Sequence, residues 1–342
     1  MVQKNPTSKK APPSSSQKST NSVSSKTDPN AQSGQDVTRQ QRLLNVFRHM
    51  FQDVLGSDNL TTTLQEIKQA LFNREFEKAF GSEEYLEVYA ARWSPTRALC
   101  YAAILTGIKG YLDEICMATE GGSRKHFKSL LIGGGAAEVV AVGAFLSKEI
   151  DISADITLLD SAPWGEVVNK LHTGLTTPPP LSKYASEATK AANVALVSPE
   201  QLATSFTQQD VLATTKVNIS ELMGLSPLLI TLLFTLNELF TSGGIRKTST
   251  LLLNLAAAAA PGSLLLVVDS PGSYSEAAVG KESKRYPMQW LLDKILLGTE
   301  AWTKVESQDS VWCRLPQTLS YPIPLEDMRY QMHLYRLIKP AE

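Results

Sequence analysis

The run Leu130-Leu131-Ile132 enters three glycines, Gly133, Gly134 and Gly135, and leaves through Ala136-Ala137-Glu138. An apolar strand that turns on glycine into a helix can bring its backbone against a nucleotide-like ligand with no side chain between. A tight turn that binds nothing has the same local sequence, so residues further along the chain decide between the two. Asp160 stands 25 positions after Gly135 and closes the apolar run Ile156-Thr157-Leu158-Leu159. A carboxylate there can accept hydrogen bonds from both hydroxyls of a ribose. Alone it would read as a helix N-cap; after the glycine turn it favours an adenosine ligand. Glu138 stands where a dinucleotide site needs Gly or Ala for its diphosphate, which tilts the pair toward a ligand without one.

Further candidates follow the later apolar runs. Gln209 and Asp210 come after Thr204 to Thr207 and can read the adenine amino group, with ordinary loop polarity as the equal alternative. Asn237 and Glu238 follow Leu228 to Leu233. There they would face the place where a transferred group meets its acceptor, unless Glu238 is only part of an exposed helical turn. Asp269 opens the turn Asp269-Ser270-Pro271-Gly272-Ser273-Tyr274, again acid and turn chemistry. Lys281, Lys284 and Arg285 beside Tyr286 and Trp290 mix phosphate-neutralising cations with stacking faces, which suits unpaired RNA, although a solvated loop looks the same. His49, His126, His172 and His333 show neither ligand spacing nor a nucleophile partner, so no metal site or hydrolase triad is expected.

The elements needed to position these residues alternate. Candidate strands are Ser129 to Ile132, Ile156 to Leu159, Thr204 to Thr207, Leu228 to Leu233 and Leu264 to Val268, with Val311 to Leu315 and Met332 to Ile338 after them. Helices are expected over Ala136 to Ser147, Gly165 to His172, Ser186 to Ala192 and Ile245 to Ala260. Strand, glycine turn, helix and strand in repetition predict an α/β fold with a parallel sheet covered by helices. Before it, Leu43, Leu44, Phe47, Met50, Phe51 and Leu55 recur at helical spacing. A second helix is expected over Leu64 to Phe80, with Leu64, Ile67, Leu71 and Phe72 as its buried stripe. Tyr85 to Met117 completes a helical section over residues 37–120, with the α/β part over 121–342.

The 342 residues carry 33 Lys and Arg against 34 Asp and Glu, and 43% are hydrophobic, enough for a full enzyme core. Residues 1–36 hold five Lys, two Asp and no Leu, Ile or aromatic residue, a basic Ser/Pro-rich tail expected to stay disordered. Three cysteines without a CxxC pair argue against a disulfide scaffold or a thiolate zinc site and fit a reducing compartment. Leu251 to Ala260 is too short to span a bilayer, and no secretory signal is visible, so no membrane partner is expected.

Five stretches resemble the fungal S-adenosylmethionine-dependent methyltransferases that modify a uracil N3 of large-subunit ribosomal RNA. They are Leu131-Ile132-Gly133-Gly134-Gly135, Leu158-Leu159-Asp160, Thr235-Leu236-Asn237-Glu238-Leu239, Val268 through Tyr274, and Leu325-Glu326-Asp327-Met328-Arg329-Tyr330. The resemblance runs from about residue 37 onward. It implies a Rossmann-like seven-stranded methyltransferase sheet and S-adenosyl-L-methionine bound through Gly133, Gly134, Gly135, Glu138, Asp160, Gln209 and Asp210. Glu238 becomes the first candidate for proton acceptor or orienter, Asp269 the second, and Asn237 an orienter of the base edge. Large-subunit ribosomal RNA becomes the partner, met in pre-ribosomal particles, in the nucleus or nucleolus with the cytoplasm as alternative. Methyltransferases usually carry an acid two positions before the first glycine, where this chain has Leu131; Glu138 or the backbone around Gly133 is left to meet the methionine amino group. The triple-glycine turn also resembles polyamine synthases, which usually place an acid directly after the glycines, where Ala136 stands. A small-molecule methyl- or aminopropyltransferase, or a catalytically inactive RNA-binding assembly factor, are therefore the alternatives.

Overall fold

The computed structural model describes residues 29–118, 124–272, 274–279 and 282–339. Helices lead the described chain: α1 (Pro29–Met50), α2 (Gln52–Leu55), α3 (Leu60–Phe72), α4 (Phe76–Ala79), α5 (Glu83–Arg92), α6 (Ser94–Gly107) and α7 (Lys109–Ile115). The expected stripe of α1 is realised, with Leu43, Leu44, Phe47 and Phe51 buried. The helix starts earlier than expected, at Pro29, a residue whose missing N–H costs nothing in a first turn. Asp36, placed in the tail by composition, lies inside α1 and pairs with Lys148 at 3.4 Å. Residues 1–28 of the expected tail lie outside the described residues. The second expected helix divides into α3 and α4, and Phe72, assigned to its buried stripe, is 84% exposed. Thr63, Ile67 and Ala70 form the buried face of α3 instead.

Trp93 ends α5 by donating its N–H to Tyr89 O and at once opens α6, whose second residue is Pro95. Proline has no N–H to continue the preceding helix but fits the first turn of a new one, so the two helices are divided here.

The sheet is built from β1 (Met117–Ala118), β2 (Lys125–Ile132), β3 (Ile152–Asp160), β4 (Leu202–Gln208), β5 (Leu228–Leu233) and β6 (Leu264–Asp269). After β7 (Tyr274–Val279) and β8 (Glu282–Pro287), it is completed by β9 (Trp302–Cys313) and β10 (Met328–Leu337). The strand order is β4-β3-β2-β5-β6-β10-β9, with β1 paired to β2 outside that path. Strands β2 to β6 of this path pair in parallel, β10 is antiparallel to both neighbours, and Leu131 sits level with Leu158 and Thr231. The seven-stranded expectation holds. Strands β5 and β6 are buried at every residue, which is why they read as unbroken apolar runs.

Helices α8 (Ala136–Leu146), α9 (Gly165–Thr176) and α10 (Glu187–Ala191) fall near their expected places, while α11 (Lys216–Met223) and α13 (Met288–Leu297) were not foreseen. The expected Ile245 to Ala260 helix is the second half of α12 (Leu236–Ala258), which breaks at Gly244, φ 67°. Buried Thr248 donates its hydroxyl to Leu239 O at 2.9 Å, pairing a carbonyl at the break. One apolar core runs from α1, α3, α5 and α6 through α8 and α9 to Leu131, Leu158 and Val268 of the sheet. The helical section is thus a layer on that sheet. A second core, under α11, α12 and α13, covers the other face.

Two expectations are corrected. The region expected to form a cation-rich loop is ordered as β8 and the start of α13, with Lys281 outside the described residues; Tyr286 and Trp290 stack at 5.1 Å and Lys294 Nζ lies 5.0 Å from the Trp290 ring. Cys100 on α6 and Cys313 at the end of β9 form a disulfide with Cα atoms 6.0 Å apart; a separation of 213 positions gives no sequence signal of it. The Leu325 to Tyr330 stretch makes contacts that hold the fold. Glu326 pairs with Arg92, Asp327 accepts from Arg314 and the Leu315 N–H, and Tyr321 donates to Ala91 O at 2.8 Å. Ser320 donates its N–H to Gln41, so the β9–β10 connection straps the helical layer to the sheet.

Candidate active site

Parallel strands with covering helices leave a crevice at their carboxyl ends where the strand order reverses. Here the reversal lies between β2 and β5, and a cleft of about 630 Å³ opens there. Its floor is the turns after β2, β3, β4 and β5, and its roof is Phe76, Phe80, Tyr89, Ser94 and Arg97 from α4 to α6.

Gly133 has φ +69°, and a Cβ placed on it would lie 2.2 Å from Thr235 Oγ1. Only glycine fits both the backbone and the neighbour. A Cβ on Gly135 would lie 3.0 Å from the Trp164 ring. Both glycines line the cleft; Gly134 does not, and a Cβ there would crowd Leu131 O at 2.7 Å. Its role is to let the turn close, which corrects the expectation of ligand contact. Glu138, 7% exposed, accepts the Gly135 N–H at 2.9 Å through Oε2. Burial pushes its pKa up to about 7, against the opposing pull of the Gly135 N–H and Arg97.

Asp160 ends β3 with Oδ1 accepting the Ala162 N–H at 2.7 Å, and it lines the cleft. Burial pushes its pKa up to about 6, while N–H groups of its own turn pull it down. Gln209 and Asp210 line the same end. Asp210 also caps the short turn after it, accepting the Leu212 N–H at 2.9 Å. This half of the cleft offers carboxylate and amide groups for a ribose and an adenine edge.

Beyond β5 the backbone enters the left-handed region at Phe234, φ 59°, an uncommon conformation for a bulky residue and one that gathers at functional sites. The chain then starts α12, whose first turn carries Glu238 into the cleft. Burial pushes Glu238 up to about 7, opposed by Arg97 and reinforced by Asp160 and Asp269. Asn237 and Asp269 do not line the cleft. Asp269 is 2% exposed, taking the Ser270 N–H at 2.7 Å and the Asn237 N–H at 3.2 Å. The Asn237 Oδ1 is buried and without a hydrogen-bond partner among the described residues. Of the three acceptor-side candidates, only Glu238 reaches the cleft; the other two build the turn that holds it.

Arg97 was missed by sequence reading. The break at Trp93 places it opposite Tyr89, whose hydroxyl accepts from its guanidinium, and its charge stands 5.0 Å from the Phe234 ring. Trp164 was missed as well; it packs against Tyr89 and Phe80 at 5.9 and 6.2 Å. The signal for Arg97 was faint: a cation two residues after a proline, at the head of the apolar run Ala98 to Leu105.

A sequence profile described as "Putative SAM-dependent methyltransferase" matches residues 47–336. The chain is similar to the 25S rRNA (uridine(2843)-N(3))-methyltransferase of Saccharomyces cerevisiae, with 33% identity over 86% of this chain and 85% of that protein. Among solved structures it is similar to a SAM-dependent methyltransferase from Methanosarcina mazei, with 10% identity, 68% of this chain and 97% of that chain covered and a TM-score of 0.38. It is also similar to an O-methyltransferase family protein from Burkholderia thailandensis, with 11% identity, 83% and 73% covered and a TM-score of 0.37. The strand order within this chain, rather than either superposition, identifies its sheet.

Proposed function

The chain belongs to the S-adenosylmethionine-dependent methyltransferases, and from that premise we propose that it methylates N3 of a uridine in large-subunit ribosomal RNA, met within a pre-ribosomal particle in the nucleolus. S-adenosylmethionine, when bound, supplies an electrophilic methyl group carried on a sulfonium. The cleft suits it: the glycine turn brings Gly133 and Gly135 into its lining, Asp160 offers a ribose acceptor, and the lining acids Glu138, Asp160 and Glu238 suit a cationic ligand.

Uracil N3 carries a proton that must leave as the new N–C bond forms. Glu238 is the residue that takes it, and this carboxylate is the observation that carries the proposal. It follows the strand beside the glycine turn, it faces the cleft, and burial tunes it to about 7, where it accepts a proton at neutral pH without being left fully protonated. Arg97 favours the ionised carboxylate and so keeps it available. Asp269 and the Asn237 backbone fix the turn on which Glu238 is carried, and fixing geometry lowers much of the barrier of a displacement reaction. The substrate base enters unpaired or flipped, since N3 is engaged in a duplex.

Mapping N3-methyluridine across large-subunit RNA from cells lacking the protein tests the proposal. Loss at a single uridine, restored by the wild-type chain, is the expected result. An unchanged map overturns the substrate assignment.

A further inference from the structure

Among the described residues two tryptophans stand exposed, Trp290 on α13 and Trp312 near the end of β9, the latter 49% exposed. Trp290 gives a face to the Tyr286 ring, 5.1 Å away. Trp312 is met by cations instead, with Arg314 at 4.0 Å and Arg329 at 5.8 Å from its ring. Alternation along β9 puts Ser310 and Arg314 on the face of Trp312, and Arg329 is its partner across on β10. These neighbours are polar, so they form no apolar patch for a protein partner to bury. As β9 is the outer strand of its path, no further strand covers the ring.

The strand register places this ring at the end of the sheet where the cleft opens. Gln331 is level with Asp269, the last residue of β6, and the Arg329–Trp312 pair comes two residues further on, about 7 Å beyond that level. From β5, which leads to Glu238, the three strand spacings across β6 and β10 to β9 make about 14 Å. Cys313, between Trp312 and Arg314, is bonded to Cys100, three positions after Arg97 of the cleft roof. The ring and the roof are therefore fastened to each other.

We propose that Trp312, Arg314 and Arg329 form a second contact point for the substrate RNA, where an unpaired base flanking the methylated uridine stacks on the indole and its phosphates lie on the two guanidiniums. The assignment rests on reading RNA as the substrate. Taking the target base out of its stack exposes the faces of its neighbours, and an exposed indole offers a face that any base can use. Guanidinium planes stack on bases and pair with phosphate as well. Both arginines are already oriented: Arg329 Nε donates to Ser310 Oγ at 2.8 Å, and Arg314 donates to Asp327 at 2.6 Å. Asp327 also accepts the Leu315 N–H and occupies one of the five donors of Arg314, so donors and a positive surplus remain for phosphate. Set apart from the cleft, the ring meets a base a few nucleotides from the uridine and holds the strand between them unpaired. It thereby favours a looped or single-stranded target over a duplex.

The test is fluorescence-anisotropy binding by the full chain of two probes, an unpaired oligouridine of about 12 nucleotides and an RNA duplex of similar length. Trp312→Ala is expected to lose about 5- to 100-fold in affinity for the unpaired strand, the worth of one stacked base, and to hold the duplex within about 2-fold. Trp312→Phe, which keeps a ring, should recover most of that loss. Arg314→Gln/Arg329→Gln should reduce the slope of log affinity against log salt by about 1.4, two phosphate contacts on a single strand. This double variant decides the matter if Trp312→Ala does not fold. Unchanged affinity for the unpaired strand in folded Trp312→Ala leaves the ring to a protein surface and overturns the proposal. An equal loss on the duplex, or an unchanged salt slope in the arginine variant, overturns it too, as does a loss that follows Trp290→Ala rather than Trp312→Ala. Failure of wild type to bind either RNA would instead remove the RNA reading beneath it.

Discussion

Two aspartates end two strands of one sheet with the same local chemistry. Asp160 closes β3 and takes the Ala162 N–H; Asp269 closes β6 and takes the Ser270 N–H, each at 2.7 Å. Above Asp160 the helices part and the cleft begins. Above Asp269 the first turn of α12 donates a second N–H, and β10 closes the flank through Gln331, whose amide donates to Ser270 O at 2.7 Å. One acid therefore lines the cleft and the other is consumed in holding a turn. Residue type and strand-end position are shared, so the layer overhead decides which of them faces the cleft.

The comparison is broken most forcefully through Glu238, which hangs on the turn Asp269 supports and opens toward the cleft Asp160 lines. In single-turnover methylation at saturating cofactor, Glu238→Gln is expected to slow the reaction about 10²- to 10⁴-fold. Asp269→Asn should act mainly on stability, lowering it by about 1–3 kcal/mol in denaturant unfolding. Normal turnover in the Glu238 variant with loss in the Asp269 variant would move proton acceptance to β6. Next comes affinity: Asp160→Ala should weaken cofactor binding by about 10- to 100-fold through lost ribose hydrogen bonds, whereas Asp269→Ala, where folded, should bind as wild type. Equal losses in the two variants would erase the distinction.

A smaller effect sharpens it by pH. Burial holds Glu138, Asp160 and Glu238 at about 7, 6 and 7 in the folded, cofactor-free protein, above their ordinary unfolded values near 4. Between those limits the folded state binds more protons than the unfolded one. The three acids therefore add stability as pH falls through 7 toward 4, and that contribution is lost as pH rises through the folded values. Thermal unfolding at pH 5 and pH 8 should show this dependence in wild type and a weaker one in Glu138→Gln/Glu238→Gln. An identical pH slope in both would mean that these carboxylates are not held by burial. The smallest change is expected far from both strand ends. Removing residues 1–28, with their five Lys, should leave melting and cofactor affinity unaltered and lower only the salt dependence of RNA binding. A large drop in melting temperature would show that this segment packs on the core.

How far each signal reaches along the chain decides which parts of the fold and site were legible in it. Strands β5 and β6 were visible because parallel strands buried throughout leave unbroken apolar runs, and Gly133, Asp160 and Glu238 were visible because each comes soon after an apolar stretch. The separation of Asp269 and Asn237 from the cleft was not, since it depends on β10 and α12 packing across residues that sequence spacing does not join. Arg97 was hidden for the opposite reason: its partners, Tyr89 and Phe234, lie 8 and 137 positions away, and only the bend at Trp93 and the fold together assemble them. The Leu325 to Tyr330 stretch, distinctive in sequence, proved to be a fastening.

That fastening sets a schedule. Arg92, in the helical layer that roofs the cleft, is met by Glu326, and the two are 234 positions apart. During synthesis at about 5–20 residues per second, the strap reaches the roof roughly 10–50 s after the roof helix has been made. Through that interval the helical layer has its core partners in α8 and α9 but lacks the fastening that the last strands bring. A chain cut short before β9 would carry every cleft-lining residue named above and lack both the strap and the Cys313 partner of Cys100.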